Sequence, residues 1–112
     1  MMRGDIVIVS LQGDYGKPRP ALVVQSNVIP GSHASTIVCP ITSTILPLDF
    51  RVIIEPDDRN GLNVASQIMT DKVTGIPRAK IGKKIGVLDQ KGLREVNAAL
   101  AFLLALPETT NS

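Results

Sequence analysis

Short apolar stretches rich in β-branched residues recur along most of the chain, each closed by glycine, proline or a polar cluster, and only the last stretch has a different period. Residues 5–10 (DIVIVS) and 36–41 (TIVCPI) are continuous apolar runs that predict buried strands, and residues 20–25 predict another between the loops 11–19 and 26–35. The polar segment 42–49, with Pro47, breaks the pattern before a fourth strand over 50–55. Pro56-Asp57-Asp58-Arg59-Asn60-Gly61 has the composition of a tight reversal. Beyond it, residues 65–73 alternate as a fifth strand and 80–88 as a sixth, with Gly82 and Gly86 expected at bulges or sharp bends. Asp89 then stands as an N-cap ahead of Leu93, Val96, Leu100, Leu103 and Leu104. Their three- and four-residue spacings place them on one face of a helix over about 90–106, which Pro107 ends before a polar tail over 107–112. The pattern predicts a mainly β fold, a small, highly curved antiparallel sheet or barrel with a C-terminal helix.

Length adds that residues 1–112 should form one domain around one core. With 44% hydrophobic residues and a mean hydropathy of +0.20, some apolar surface is expected to be buried against another chain. Phe102 and the alanines around it widen the apolar face of the helix toward Leu106, and a helix apolar on more than one side needs two partners, the sheet and a second subunit. The longest apolar run, 98–106, is far short of the roughly 18 residues of a membrane helix. The N-terminal segment offers no small-residue cleavage site, so a cytoplasmic protein is expected. Cys39, the only cysteine, lies in the apolar run 37–41 and is expected as a buried thiol. His33, the only histidine, sits in a Ser/Gly/Pro-rich loop with no motif around it, which argues against Cys–His catalysis. A net charge of +2 permits an anionic partner without requiring one.

Candidate chemistry concentrates in three places. In residues 16–26 (GKPRPALVVQS) a cationic turn with Lys17 and Arg19 runs into an apolar strand, and the prolines flanking Arg19 hold both cations in extended geometry. The third predicted strand ends in the hydroxyl cluster Thr42-Ser43-Thr44, which could equally make local turn contacts. The fifth predicted strand carries Gln67, Met69 and Asp71 on one face, since side chains two apart point the same way. No set of His, Asp and Glu has metal-ligand spacing, and Asp57 and Asp58 are explained by their turn, so neither a metal nor another cofactor is expected.

Taken together, Arg3-Gly4-Asp5 opening the first strand, Arg19-Pro20-Ala21-Leu22-Val23-Val24-Gln25 on the second, Pro40-Ile41-Thr42-Ser43 on the third, and Gly61-Leu62 followed by Asp71-Lys72-Val73 resemble the MazF/PemK/Kid family of toxin endoribonucleases. The resemblance runs from residue 3 to about residue 106. It implies an SH3-like barrel, a homodimer, a cognate MazE-like antitoxin, and metal-independent cleavage of single-stranded RNA at short sequences. It also implies catalytic roles for Arg19, Thr42 and Asp71, the last on an acidic position that some members use as a base, with Lys17, Ser43 and Gln67 beside them as RNA contacts. Met69 departs from members such as Kid, which place an arginine two residues before the acid. Asp71 is therefore expected to lack the neighbour that would keep it ionised and oriented.

The chemistry suits these residue types. In RNA the adjacent 2′-hydroxyl can attack its own phosphate, so a protein must mainly orient that attack and stabilise charge on the transition state. Arg19 fits the second task as a planar, permanently charged fork, and Thr42 offers a neutral hydroxyl. The base would be Asp71 or solvent. Tyr15, Phe50 and Phe102 are the only aromatic residues, too few for a base-stacking platform. Two other readings remain at this point. One is a gyrase-binding toxin of the same fold, whose CcdB-type members rely on a tryptophan that this chain lacks; the other is a non-catalytic SH3-like module that binds nucleic acid.

Overall fold

The apolar runs form strands that are buried on both sides, which is why they read as continuous rather than alternating. The computed structural model describes residues 1–11 and 17–107. The expected positions of Tyr15 and Gly16, and of the tail from 108 onward, lie outside the described residues. The strands are β1 (Asp5–Ser10), β2 (Pro18–Val23), β3 (Ser35–Thr42), β4 (Val52–Ile54), β5 (Ser66–Ile68), β6 (Thr74–Pro77) and β7 (Ile81–Val87), and α1 (Gln90–Leu103) follows them. All strand pairs are antiparallel, in the order β4-β5-β3-β2-β1-β7, with β6 also on β3. Among the described residues the path is open: β4 and β7 end it without pairing to each other.

β3 holds this arrangement together. Its first half, Ser35 to Val38, pairs with β6, whereas Ile41 and Thr42 pair with β5. The handover falls at Pro40, which has no N–H to give a ladder. Its carbonyl accepts from the Met69 N–H at 2.8 Å just as β5 ends. The predicted strand over 65–73 is therefore a three-residue strand followed by a 3-10 turn, Thr70–Lys72, and the structure corrects that expectation. Alternation cannot register the change, because it comes from Met69 finding Pro40, and from the Thr70 hydroxyl donating to the Phe50 carbonyl at 2.6 Å. β6 was not expected either. Its TGIP sequence has poor strand propensity and becomes a strand only along β3.

Pleat alternation sorts the core into two clusters. Ile6, Leu22, Cys39, Ile41 and Ile68 meet Leu88 and Val96, with Leu93 and Leu100 of α1 packed alongside. Val7, Val9, Ala21, Val23, Val38 and Ile76 form the second cluster on the other face of β1, β2 and β3, where Leu11 and Ile81 cover them. Pairing of β1 with β7 shifts register between Ile6 and Val7 and again before Val9, in the part of β7 that carries Gly82 and Gly86. Gly86 admits the turn before β5: a Cβ there would lie 2.3–2.4 Å from Arg59 and Asn60 backbone atoms. That turn is built as its composition required. Asp57 Oδ1 accepts from the N–H groups of Arg59 and Asn60, the buried Asn60 side chain bonds Glu55 and Leu62, and Gly61 adopts φ +72°.

Asp89 caps α1, its Oδ1 accepting from Gly92 N at 2.7 Å. The helix stops at Leu103, three residues before the expected end, because a Schellman motif closes it. The Leu106 N–H donates to Ala101 O and the Ala105 N–H to Phe102 O, with Ala105 left-handed at φ 53°.

Two substitutions should act in opposite directions. Gly61→Ala would place a Cβ 2.1 Å from the Ile85 carbonyl oxygen at a left-handed φ and should destabilise the chain by about 2 kcal/mol or more. Ala105→Gly removes the left-handed penalty at the helix C-terminus and should stabilise it by up to about 1 kcal/mol. Urea denaturation midpoints of the two variants and the parent measure both.

Candidate active site

Register brings the first two candidate residues together. β2 and β3 pair Ala21 with Pro40 and Val23 with Val38, and Arg19 and Thr42 each lie two residues beyond the Ala21–Pro40 pair on their own strands. Alternation puts both on the face of the second core cluster, at its open end. There they line a groove of about 470 Å³ with Leu11, Pro40, Met69 and Lys72. Arg19 lies within β2, opposite Val9 of β1, and is exposed. The prolines on either side fix its backbone as the sequence suggested, so its charge stands on a rigid strand. Thr42 Oγ1 accepts from the Thr44 N–H at 3.1 Å. The local turn contact and the functional role are compatible, since the hydroxyl keeps its own proton to donate. Lys17, two residues before Arg19, and Ser43, directly after Thr42, are exposed, and neither lines the groove.

Gln67 and Asp71 sit differently from the expectation. Gln67 is fully buried in β5, its Nε2 donating to Leu46 O at 2.8 Å and its Oε1 accepting from Leu46 N and Arg51 Nη1, each at 3.3 Å. It locks the segment after Thr44 and presents nothing to RNA. Asp71 is on the 3-10 turn, not on a strand, so Gln67, Met69 and Asp71 do not share a face.

Nor does Asp71 lack a partner. Arg51, from the segment leading into β4, binds it through two hydrogen bonds, Nε to Oδ1 at 2.7 Å and Nη2 to Oδ2 at 3.0 Å. The arginine that position 69 does not supply comes from position 51. These hydrogen bonds hold the Asp71 carboxyl below its usual range and raise the Arg51 guanidinium, so the carboxylate is ionised and both oxygens are engaged. Arg51 left one signal in the sequence: a lone cation among Phe50, Val52, Ile53 and Ile54 needs a carboxylate partner when buried, and its side chain is 6% exposed. Lys72 and Met69 were missed as groove residues because their placement depends on the 3-10 turn.

The other reactive types are remote or inert. Cys39 is completely buried, and burial pushes its thiol up to about 12, which removes it as a nucleophile near neutral pH. His33 is exposed in the loop between β2 and β3. Among the described residues, no three His, Cys, Asp or Glu side chains gather where they could hold a metal ion. No helix among them is long and apolar enough to cross a membrane.

The chain is thus a small β protein, an antiparallel sheet with one C-terminal helix, in which a guanidinium and a hydroxyl from neighbouring strands line an open groove. The chain belongs to the family of PemK-like, MazF-like toxins of type II toxin–antitoxin systems, whose model matches residues 2–104. It is 37% identical over 108 residues to a probable endoribonuclease MazF of Mycolicibacterium smegmatis, covering 95% of this chain and 98% of that one. It is 29% identical over 109 residues to endoribonuclease EndoA of Bacillus subtilis, covering 93% and 94%. Among solved structures, the Mycobacterium tuberculosis toxin MazF-mt6 superposes with a TM-score of 0.81 at 29% identity, covering 93% of this chain and 99% of that one. A mycobacterial endoribonuclease in complex with its cognate antitoxin shares the fold, with a TM-score of 0.82 at 22% identity over 97% and 99%.

The Arg51–Asp71 pair should leave a signature in acid. A carboxyl whose folded pKa is depressed contributes stability above its unfolded value, near 3.9, and loses it as pH falls through the folded value. Asp71→Asn should therefore be less stable than the parent by about 1 kcal/mol near neutral pH, and the two should converge toward about pH 2. Urea denaturation at stepped pH checks the convergence.

Proposed function

We propose that this chain, as a single toxin domain over 1–112, is an endoribonuclease that cleaves single-stranded RNA without a metal, Arg19 stabilising charge on the scissile phosphate and Thr42 positioning it. The observation that carries the reading is that these two side chains, from neighbouring strands, line one groove. The names of the relatives as endoribonucleases support it. In the reaction the 2′-oxygen bonds to phosphorus while the bond to the 5′-oxygen breaks. The 2′-proton goes to a base, the 5′-oxygen gains a proton, and a cyclic phosphate and a free 5′-hydroxyl remain. Arg19 presents its fork to the non-bridging oxygens that gain charge, and the Thr42 hydroxyl donates to one of them. With both Asp71 oxygens held by Arg51, the 2′-proton is left to solvent.

Cutting messenger RNA in the cytoplasm would block translation and growth, the action of a toxin, and a MazE-like antitoxin with an acidic, partly disordered segment would neutralise it by covering the same groove. A homodimer belongs to the same reading. An apolar cleft of about 970 Å³ lies between α1 and the segment 47–53, lined by Pro47, Leu48, Phe50, Ile53, Ala98 and Phe102, with Phe102 74% exposed. An SH3-like barrel is likewise supported by the second core cluster, which β1, β2, β3, β6 and β7 surround while the 3-10 turn Arg78–Lys80 leads β6 directly into β7.

Purified protein should cut single-stranded RNA in excess EDTA. Loss of cutting on chelation, restored by a divalent ion, would refute the metal-free mechanism, and no cutting at all would leave a fold that only binds. Arg19→Ala should lose about a hundredfold in rate or more, and Arg19→Lys should recover little. Thr42→Ala should be strongly impaired and Thr42→Ser much less so, as read by single-turnover cleavage of a short RNA. Full activity in both alanine variants would overturn the site. Sedimentation at micromolar concentration should give about 24 kDa, twice the 12.0 kDa of the chain.

A further inference from the structure

We propose that Lys72 is a phosphate-contacting residue of the groove and that the Arg51–Asp71 pair is the positioning device holding the turn that presents it. The proposal rests on the reading of this groove as an RNA site. Lys72 is exposed and lines the groove with Arg19 and Thr42, whereas Asp71, the residue before it, does not line it.

The geometry of the turn explains the difference. A 3-10 turn has three residues per revolution, so its consecutive side chains leave in three directions and residues three apart are eclipsed. Thr70 points inward, completely buried, with its hydroxyl on Phe50 O. Asp71 is directed at the Arg51 guanidinium. The remaining direction belongs to Lys72, and Met69, three residues before it, faces the same groove.

The turn is also firmly held. Met69 N is tied to Pro40 O at 2.8 Å, Lys72 N to Met69 O at 3.0 Å and Val73 N to Thr70 O at 3.3 Å. Arg51 adds the tie through Asp71 and a further one to Gln67 Oε1. The acid of this segment thus acts through Arg51 on the backbone of the turn, and the cation next to it meets the ligand. An ammonium on a flexible stem suits a backbone phosphate oxygen beside the one gripped by Arg19, and contributes binding with little directional demand. Arg19 on the strands and Lys72 on the turn bracket the strand of RNA from two sides.

The test combines cleavage kinetics with equilibrium binding. Lys72→Ala and Lys72→Gln should raise KM about tenfold with kcat within about twofold, and Lys72→Arg should restore most of the loss. For a single strand carrying 2′-deoxy sugars, which binds without being cut, loss of one phosphate contact should flatten the slope of log affinity against log salt by about 0.7. Asp71→Asn and Arg51→Gln should raise KM in the same sense, add less than about twofold in the Lys72→Ala background, and leave the pH profile of kcat unchanged. A near-parental urea midpoint in Lys72→Ala shows that its effect is not unfolding. Unchanged KM and salt slope in the Lys72 variants would overturn the proposal. So would an Asp71→Asn variant with kcat down about a hundredfold and the acid limb of its pH profile gone, the mark of a catalytic base. Lys72-dependent binding by a protein that cuts no RNA would instead refute the endoribonuclease reading and leave this assignment standing.

Discussion

One strand serving two sets of neighbours is the constraint on which the rest depends. β3 hydrogen-bonds β2 along one edge and, along the other, first β6 and then β5. A continuous partner on that second edge would need an N–H at every other residue, and Pro40 has none. The ladder therefore changes hands there, and the chain between β5 and β6 must cover the gap with the short turn 70–72, anchored on the Pro40 carbonyl and the Phe50 carbonyl. Everything in the groove follows from that detour. Thr42 ends the half of β3 that faces β5, Arg19 joins it in the groove from the neighbouring strand β2, and Met69 and Lys72 line the groove from the turn.

The charges of the site are divided by burial. The Arg51 side chain is only 6% exposed and is matched by a carboxylate with two parallel hydrogen bonds, the geometry in which a largely covered cation is tolerated. Arg19 and Lys72 are exposed and line the groove. An acid and a base adjacent in sequence, Asp71 and Lys72, are thus sent by one step of a 3-10 turn in different directions, Asp71 to the Arg51 guanidinium and Lys72 to the groove. Gln67 completes the internal set, joining Arg51 to the backbone at Leu46 and so linking the turn to the segment that leaves Thr42.

The motif at the start of β1 has a structural role as well. Arg3 donates to the Val24 carbonyl and to Asn97 of α1, Gly4 takes φ +97° while its N–H reaches Val23 O, and the buried Asp5 receives the Met2 N–H and pairs with Lys84 of β7. Three consecutive residues thereby fasten β2, β7 and the helix to the first strand, at the end of β2 away from Arg19. The helix then supplies one wall of the first core cluster with Val96 and turns Phe102 outward.

The sequence by itself determined the parts that local chemistry dictates. β-branched runs between breakers placed β1, β3 and β7 to within a residue or two, an aspartate ahead of a 3.6-residue period placed the start of α1, and the composition of 56–61 placed its turn. That Arg19 and Thr42 stand near strand ends was legible, because each sits where a strand meets a loop. Tertiary structure alone decided what depends on a partner distant in sequence. The length of β5 was set by Met69 finding Pro40, the existence of β6 by an available edge on β3, and the end of α1 by a reversed hydrogen-bond closure at Ala105. The role of Asp71 was the furthest from reach. Its partner lies twenty residues back at Arg51, and its direction is fixed by a turn of threefold rather than twofold period, neither of which a local pattern contains.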